Sequence, residues 1–214
     1  MKIRYFFPLL LLLFSVSNVF GQTKKWNWYL AYSLQFNDPR FSNESETFND
    51  KMENTSSAGL GQSYGLGFGY PIGKDLNIQL GGHFKSMSYK NDSIGIDAVN
   101  MISKSLRGIE VPVMLNYRFS ENGWTLSLGG QYFYGLREQV NYQLLNNNQT
   151  QIANEKSSTK GWGYQVELAK QFQPDEKHIL SLGIVGQRFP HIIKSDNGQF
   201  GFMNLGIRLG LTFI

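Results

Sequence analysis

Between Arg107 and Phe119 every second residue is apolar or aromatic: Ile109, Val111, Val113, Leu115, Tyr117 and Phe119. The positions between them include Glu110, Asn116 and Arg118, with Pro112 and Met114 completing that face. A period of two over this length predicts a strand with one oily and one polar side. A strand that crosses a bilayer at a tilt needs roughly 9–11 residues, and this stretch is long enough. Past the first residues of the chain, no apolar run approaches the roughly 20 residues of a spanning helix. If the chain enters a membrane it must do so as a closed barrel, because lipid offers the backbone no other hydrogen-bonding partner.

The chain has 214 residues and no cysteine, so it carries neither a disulfide framework nor a lipid-attachment thiol. Its start reads as a secretory signal peptide over residues 1–21, leaving 22–214 as a single barrel domain. Lys2 and Arg4 form a basic n-region, Tyr5 to Phe14 is apolar apart from Pro8, and a small residue follows at Gly21. Taking Lys2 and Arg4 from 20 basic residues leaves 18 against 16 acidic ones, a net of +2. Nucleic-acid binding calls for clustered Lys and Arg on one face. No such cluster is visible in the sequence, and nucleic acid is not an expected partner.

The same alternation recurs along the chain. Trp26, Trp28, Leu30, Tyr32, Leu34 and Phe36 share one face, and so do Tyr64, Leu66, Phe68 and Tyr70. A third strand runs from Leu76 to about Tyr89, and the fifth carries Trp124, Leu126, Leu128, Tyr132, Tyr134 and Leu136. The sixth shows Trp162, Tyr164, Val166, Leu168 and Phe172; the seventh spans His178 to Phe189; the last holds Met203, Leu205, Ile207, Leu209, Leu211 and Phe213. In the seventh, parity places Arg188 beside Leu180, Leu182 and Ile184, which predicts a bulge near Gly186 or an exit from lipid there. Polar loops are expected over Asn37–Gly59, Lys90–Leu106, Arg137–Lys160 and Pro190–Gln199. Tight turns are expected at Pro71–Asp75, at Ser120–Gly123 with its Asn-Gly hairpin signal, and at Gln173–Lys177.

Eight strands joined by connections that run long, short, long, short predict an all-β, eight-stranded, antiparallel, closed transmembrane barrel of meander topology. Its long loops lie outside and its short turns lie in the periplasm. The oily side carries more large side chains than so narrow an interior can hold, whereas the other side is rich in glycine. The oily side therefore faces lipid. Aromatic residues fall into two rings: Trp26, Trp28, Tyr70, Tyr117, Phe119, Trp124, Phe172 and Phe213 near the short turns, and Phe36, Tyr64, Phe84, Tyr132, Tyr134, Trp162 and Tyr164 above. Two such girdles mark the interfaces of a bilayer. Lys170 is expected to be the one charge on the lipid side, close enough to the lower edge to snorkel.

Ile109-Glu-Val-Pro-Val-Met-Leu-Asn-Tyr117 resembles the signature strand of the PorT-like outer-membrane β-barrel family of Gram-negative bacteria. Leu128-Gly-Gly-Gln-Tyr-Phe-Tyr-Gly135 and the closing Gly206-Ile-Arg-Leu-Gly-Leu-Thr-Phe213 also fit it. The resemblance implies a barrel of OmpA/OmpX size in the outer membrane. The name-giving member takes part in export through the type IX secretion route, and most members have no assigned activity.

The polar side carries Lys85, Glu110, Arg118, Glu167 and Arg208, with His83 nearby. Counted from the turns, Lys85 matches Glu110 in height on the neighbouring strand, and Glu167 matches Arg208 two strands away. These five are expected to form a structural ion-pair network that fills the lumen, since an unpaired charge in a narrow interior is very costly. A polar conduction path is the competing expectation. Catalysis would need a nucleophile with a histidine and an acid near the outer rim. His83, Ser86, Ser88, His178 and His191 show no such spacing, so no catalytic, cofactor or metal site is expected. Asp38, Glu44, Glu46, Asp50 and Glu53 make the first loop acidic but match no calcium loop. The expected partners are outer-membrane lipid and lipopolysaccharide around a monomeric barrel, with envelope or secretion-system proteins as candidates for the external loops.

Overall fold

The computed structural model describes residues 26–42, 56–91, 99–119, 122–144, 150–156, 159–195 and 198–214. The expected leader and the acidic residues Glu44, Glu46, Asp50 and Glu53 lie outside them. The described chain is almost entirely strand: β1 (Asn27–Ser42), β2 (Ser56–Pro71), β3 (Leu76–Asn91), β4 (Val99–Arg118), β5 (Trp124–Leu144), β6 (Thr150–Lys156), β7 (Lys160–Phe172), β8 (His178–Ser195) and β9 (Gly198–Phe213). Each pairs antiparallel with its neighbours, and β1 pairs with β9, which closes the sheet.

Nine segments make eight staves. The lower part of β5 pairs with β7 from Trp124↔Lys170 to Tyr134↔Lys160, and its upper part pairs with β6 from Arg137↔Lys156 to Gln143↔Thr150. Thus β6 and β7 lie end to end along one edge of β5. The stave is interrupted around Thr159, whose carbonyl accepts from Gly135 N at 2.7 Å.

The expected loops begin too early. β1 continues to Ser42, β5 to Leu144 and β8 to Ser195, while β2 and β4 start at Ser56 and Val99. The segment read as one loop from Arg137 to Lys160 is mostly a paired extension of β5 with β6. The reason is physical. Above the bilayer both faces of a ribbon meet water, so the oily alternation stops while the backbone ladder continues. At 21 residues, β5 far exceeds the roughly 9–11 needed to cross.

The side chains point as the alternation requires. Trp28, Leu30, Leu34 and Phe36 are 58, 47, 48 and 62 % exposed, whereas Tyr29, Ser33, Gln35 and Asn37 between them are buried. Near the short turns, Trp26 packs against Phe68 and Tyr70 with ring centroids 5.1 and 4.9 Å apart. Higher up, Tyr64 lies 5.4 Å from Phe84 and Tyr132 lies 5.0 Å from Trp162. Lys170 bends down to donate to the Asn122 carbonyl and stands 5.6 Å from the Trp124 ring.

The expected bulge is displaced. The ladders on both sides of β8 run unbroken through Gly186, and the irregularity falls between Phe189 and Ile193. Arg188 keeps its outward parity and sits opposite Tyr164 of the upper aromatic ring, where the stave leaves lipid. At the short-turn end, Gly123 adopts φ = 82°, a left-handed conformation that favours glycine. Between β7 and β8, Asp175 accepts from Lys177 N and His178 N at 2.8 and 2.9 Å. The His178 imidazole, also 2.9 Å away, holds its carboxyl below the ordinary carboxylate range.

Candidate functional site

The lumen is built in three layers, each set by which inward position of the alternation reaches a given height. The lowest, next to the short turns, is an open vestibule lined by Gln79, Asn116, Thr125, Gln171, Ser181 and Thr212, with room for only a few water molecules. Arg118, at the foot of β4, is exposed and donates to Gln171 Oε1 at 3.3 Å. The structure therefore does not bring Arg118 into the charged network. One residue from a solvent-facing turn, its guanidinium needs no buried carboxylate.

The middle layer is charged and buried. Lys85 Nζ on β3 pairs with Glu110 Oε2 on β4 at 2.8 Å, and it also donates to Gln187 Oε1 on β8. With the Asn204 amide turned to satisfy both of its groups, its oxygen accepts from Lys85 Nζ at 3.2 Å. Three acceptors then surround the ammonium, Glu110 as its charge partner. His83 Nδ1 lies 3.8 Å from Glu110 Oε1. Arg208 Nη1 on β9 meets Glu167 Oε2 on β7 at 3.0 Å. The stave between them, β8, contributes Gly183 opposite Arg208, so no side chain blocks the reach.

Gln187 joins the two ion pairs. Its Nε2 faces Glu110 Oε1 at 3.2 Å, Gln131 Oε1 at 3.1 Å and Gln165 Oε1 at 2.7 Å. Gln165 Nε2 in turn lies 3.4 Å from Glu167 Oε2. A continuous polar chain thus ties Lys85 and Glu110 to Glu167 and Arg208 across β3, β4, β5, β7, β8 and β9. Gln187 carries no charge, so matching opposite charges by height does not single it out. Its signal was parity: an inward, long, neutral donor and acceptor at the height of the ion pairs. The gap bordered by Ser33, Gln35, Ser63, His83 and Gln187 is too narrow for a water molecule.

The upper layer is apolar. Met87, Tyr89, Leu106, Phe133, Phe189 and Phe202 form one buried cluster inside the barrel. Phe133 and Phe189 meet edge to face at 6.0 Å, as do Tyr89 and Phe202 at 5.4 Å. The Lys85 ammonium lies 5.0 Å from the centre of the Phe189 ring, so this layer roofs the ion pair. Luminal glycines seat the rings: a Cβ at Gly163 would stand 2.6 Å from Phe189, and one at Gly108 would stand 2.5 Å from Phe133. Below the network Tyr29 lies against Gly67 and Gly81 in the same way.

The serines and histidines considered for catalysis do not converge. His83 is buried in the lumen, while Ser86 and Ser88 have the opposite parity on β3, and Ser88 Oγ donates to the Leu60 carbonyl. His178 lies at the far end, in contact with Asp175. The His191 side chain lies outside the described residues.

Neisserial surface protein A is 11 % identical, with a TM-score of 0.47, covering 90 % of this chain and 99 % of that one. Ail of Yersinia pestis, in complex with the heparin analogue sucrose octasulfate, is 12 % identical with a TM-score of 0.43, covering 88 % and 99 %. OprG from Pseudomonas aeruginosa is 12 % identical with a TM-score of 0.43, covering 89 % and 96 %. No curated protein matches the chain significantly. The sequence matches the outer membrane protein beta-barrel domain over residues 6–213. The chain belongs to this family and is an integral β-barrel of the Gram-negative outer membrane.

Proposed function

We propose that the chain is a closed, non-catalytic scaffold of the outer membrane, with its lumen plugged and its binding surface carried by the extended outer hairpins. The polar chain from Lys85 to Arg208, roofed by Phe133, Phe189 and Phe202, is the observation that carries this reading. A conduction path needs a continuous wet route, and an eight-stranded barrel is just wide enough for side chains to fill. A lipid-modifying activity would need a nucleophile within reach of a base, whereas Ser86 and Ser88 stand on the other side of β3 from His83. Rigid staves that rise above the bilayer are suited to presenting a contact surface to envelope partners. Planar-bilayer recordings of the refolded protein test the plug: no stable step is expected, and steady ion-selective conductance would overturn it.

A second reading, as an accessory of a secretion system, is favoured by the PorT-like strand Ile109–Tyr117. Cross-linking in intact cells separates the two. Capture of export machinery supports the accessory role, and capture of envelope or surface components supports the scaffold.

A further inference from the structure

Four cations face outward from consecutive staves at and just above the upper aromatic ring: Arg107 on β4, Arg137 on β5, Lys160 on β7 and Arg188 on β8. Measured from the lower strand ends at Arg118, Trp124, Phe172 and His178, they stand 11, 13, 12 and 10 residues up. One residue of the 13 is absorbed by the irregularity opposite Arg107 and Gly108. The four are therefore at one level although the staves are tilted. Tyr134 and Trp162, each 10 residues up, lie level with Arg188 and just beneath the other three, and Trp162, at 71 % exposed, is the most open large apolar side chain among the described residues. Elsewhere at this level the outward positions with described side chains are Ser88, Leu60, Asp38 and Met203, none of them cationic.

Among the described residues no carboxylate balances these charges. Arg107 and Arg137 are direct partners across the β4–β5 ladder, an arrangement of like charges that destabilises a sheet. None of the four has an ion-pair partner among the described residues, and no outward carboxylate among those residues shares their level on these staves. Lys104 and Glu138, which do pair at 3.6 Å, have the inward parity. The long-hairpin end of such a barrel is its external end, so this level meets the headgroups of the outer leaflet.

We infer that Arg107, Arg137, Lys160 and Arg188, with Trp162 and Tyr134 beside them, form a binding site on the outer wall for the phosphate-bearing headgroup of an outer-leaflet glycolipid. Arginine guanidinium forks match phosphate oxygens in pairs, and the two aromatic faces lie where sugar rings and acyl roots would rest. The site depends on the outer-membrane placement and orientation of the barrel, not on whether the lumen conducts.

The full-length protein, refolded in detergent, is mixed with diphosphorylated lipid A, dephosphorylated lipid A or inorganic phosphate, and bound lipid is counted by native mass spectrometry. Selective retention of phosphorylated lipid A is expected, weakening as salt rises. Arg107→Gln with Arg137→Gln should lower retention at least tenfold, and adding Lys160→Gln and Arg188→Gln should lower it further. Arg118→Gln with Lys170→Gln, at the other end, should leave it unchanged. Heat-dependent gel mobility reports whether each variant is folded, and the double variant serves if the quadruple one is not. Equal retention of dephosphorylated lipid A, undiminished retention by a folded double variant, or equally tight binding of inorganic phosphate alone would each overturn the assignment.

Discussion

An ammonium group buried as deeply as that of Lys85 must replace its whole hydration shell with fixed acceptors. Glu110, Gln187 and Asn204 provide them, and removing any one leaves a charged donor facing nothing. Breaking a buried pair from one side costs roughly 3–5 kcal/mol, whereas replacing both partners with apolar groups is often neutral. Glu110→Leu should therefore destabilise the barrel by about 3–5 kcal/mol, and Glu110→Leu combined with Lys85→Met by clearly less. Urea unfolding in lipid vesicles measures both. Equal costs for the single and the double change would mean that the pair is not coupled. This pair was legible in the sequence because the two charges share a height on adjacent strands. Arg118 shares their parity but not their depth, and parity alone cannot distinguish a lumen from its mouth.

At the scale of the strand, alternation revealed which residues look inward but not how the inward ones interlock. Met87 and Tyr89 follow His83 and Lys85 at the same parity on β3, and Phe133 follows Gln131 on β5. The polar-face reading stopped where these apolar residues began, although their inward direction was already implied. The glycines opposite them were read only as small. They are complementary to specific rings, as Gly163 is to Phe189. Gly163→Val should push Phe189 from its seat and overpack the upper layer, at a cost of about 1–3 kcal/mol. Phe189→Ala should cost roughly 3–5 kcal/mol through the cavity it leaves. Because the two changes act on one contact, their combination should cost less than the sum; strict additivity in urea unfolding would show that Gly163 and Phe189 are independent. The loop boundaries were misplaced for a different reason. The oily alternation reports contact with lipid, and the backbone ladder of β5 and β6 continues beyond it into water.

Taken whole, the molecule resembles a soluble protein turned inside out around one feature of its own. The outer wall uses lipid as its apolar phase, yet the upper lumen still contains a small aromatic core, and the charged layer lies between that core and an open vestibule. On the proposed reading two seals in series close the lumen: one polar, at Lys85, Glu110 and Gln187, and one apolar, at Phe133, Phe189 and Phe202. Series resistance makes a definite prediction. Emptying the apolar layer alone, by Phe133→Ala with Phe189→Ala, should leave the bilayer silent because the network below still spans the lumen. Emptying the network alone, by Lys85→Ala with Glu110→Ala, should also leave it silent because the rings remain. Only the four changes together should give discrete conductance steps, recorded on material shown to be folded by its heat-dependent mobility. Steps from either double variant would mean that one layer carries the whole seal. Silence from the folded quadruple variant would move the constriction to the waist, where Tyr29 lies against Gly67 and Gly81 beside the Glu167–Arg208 pair.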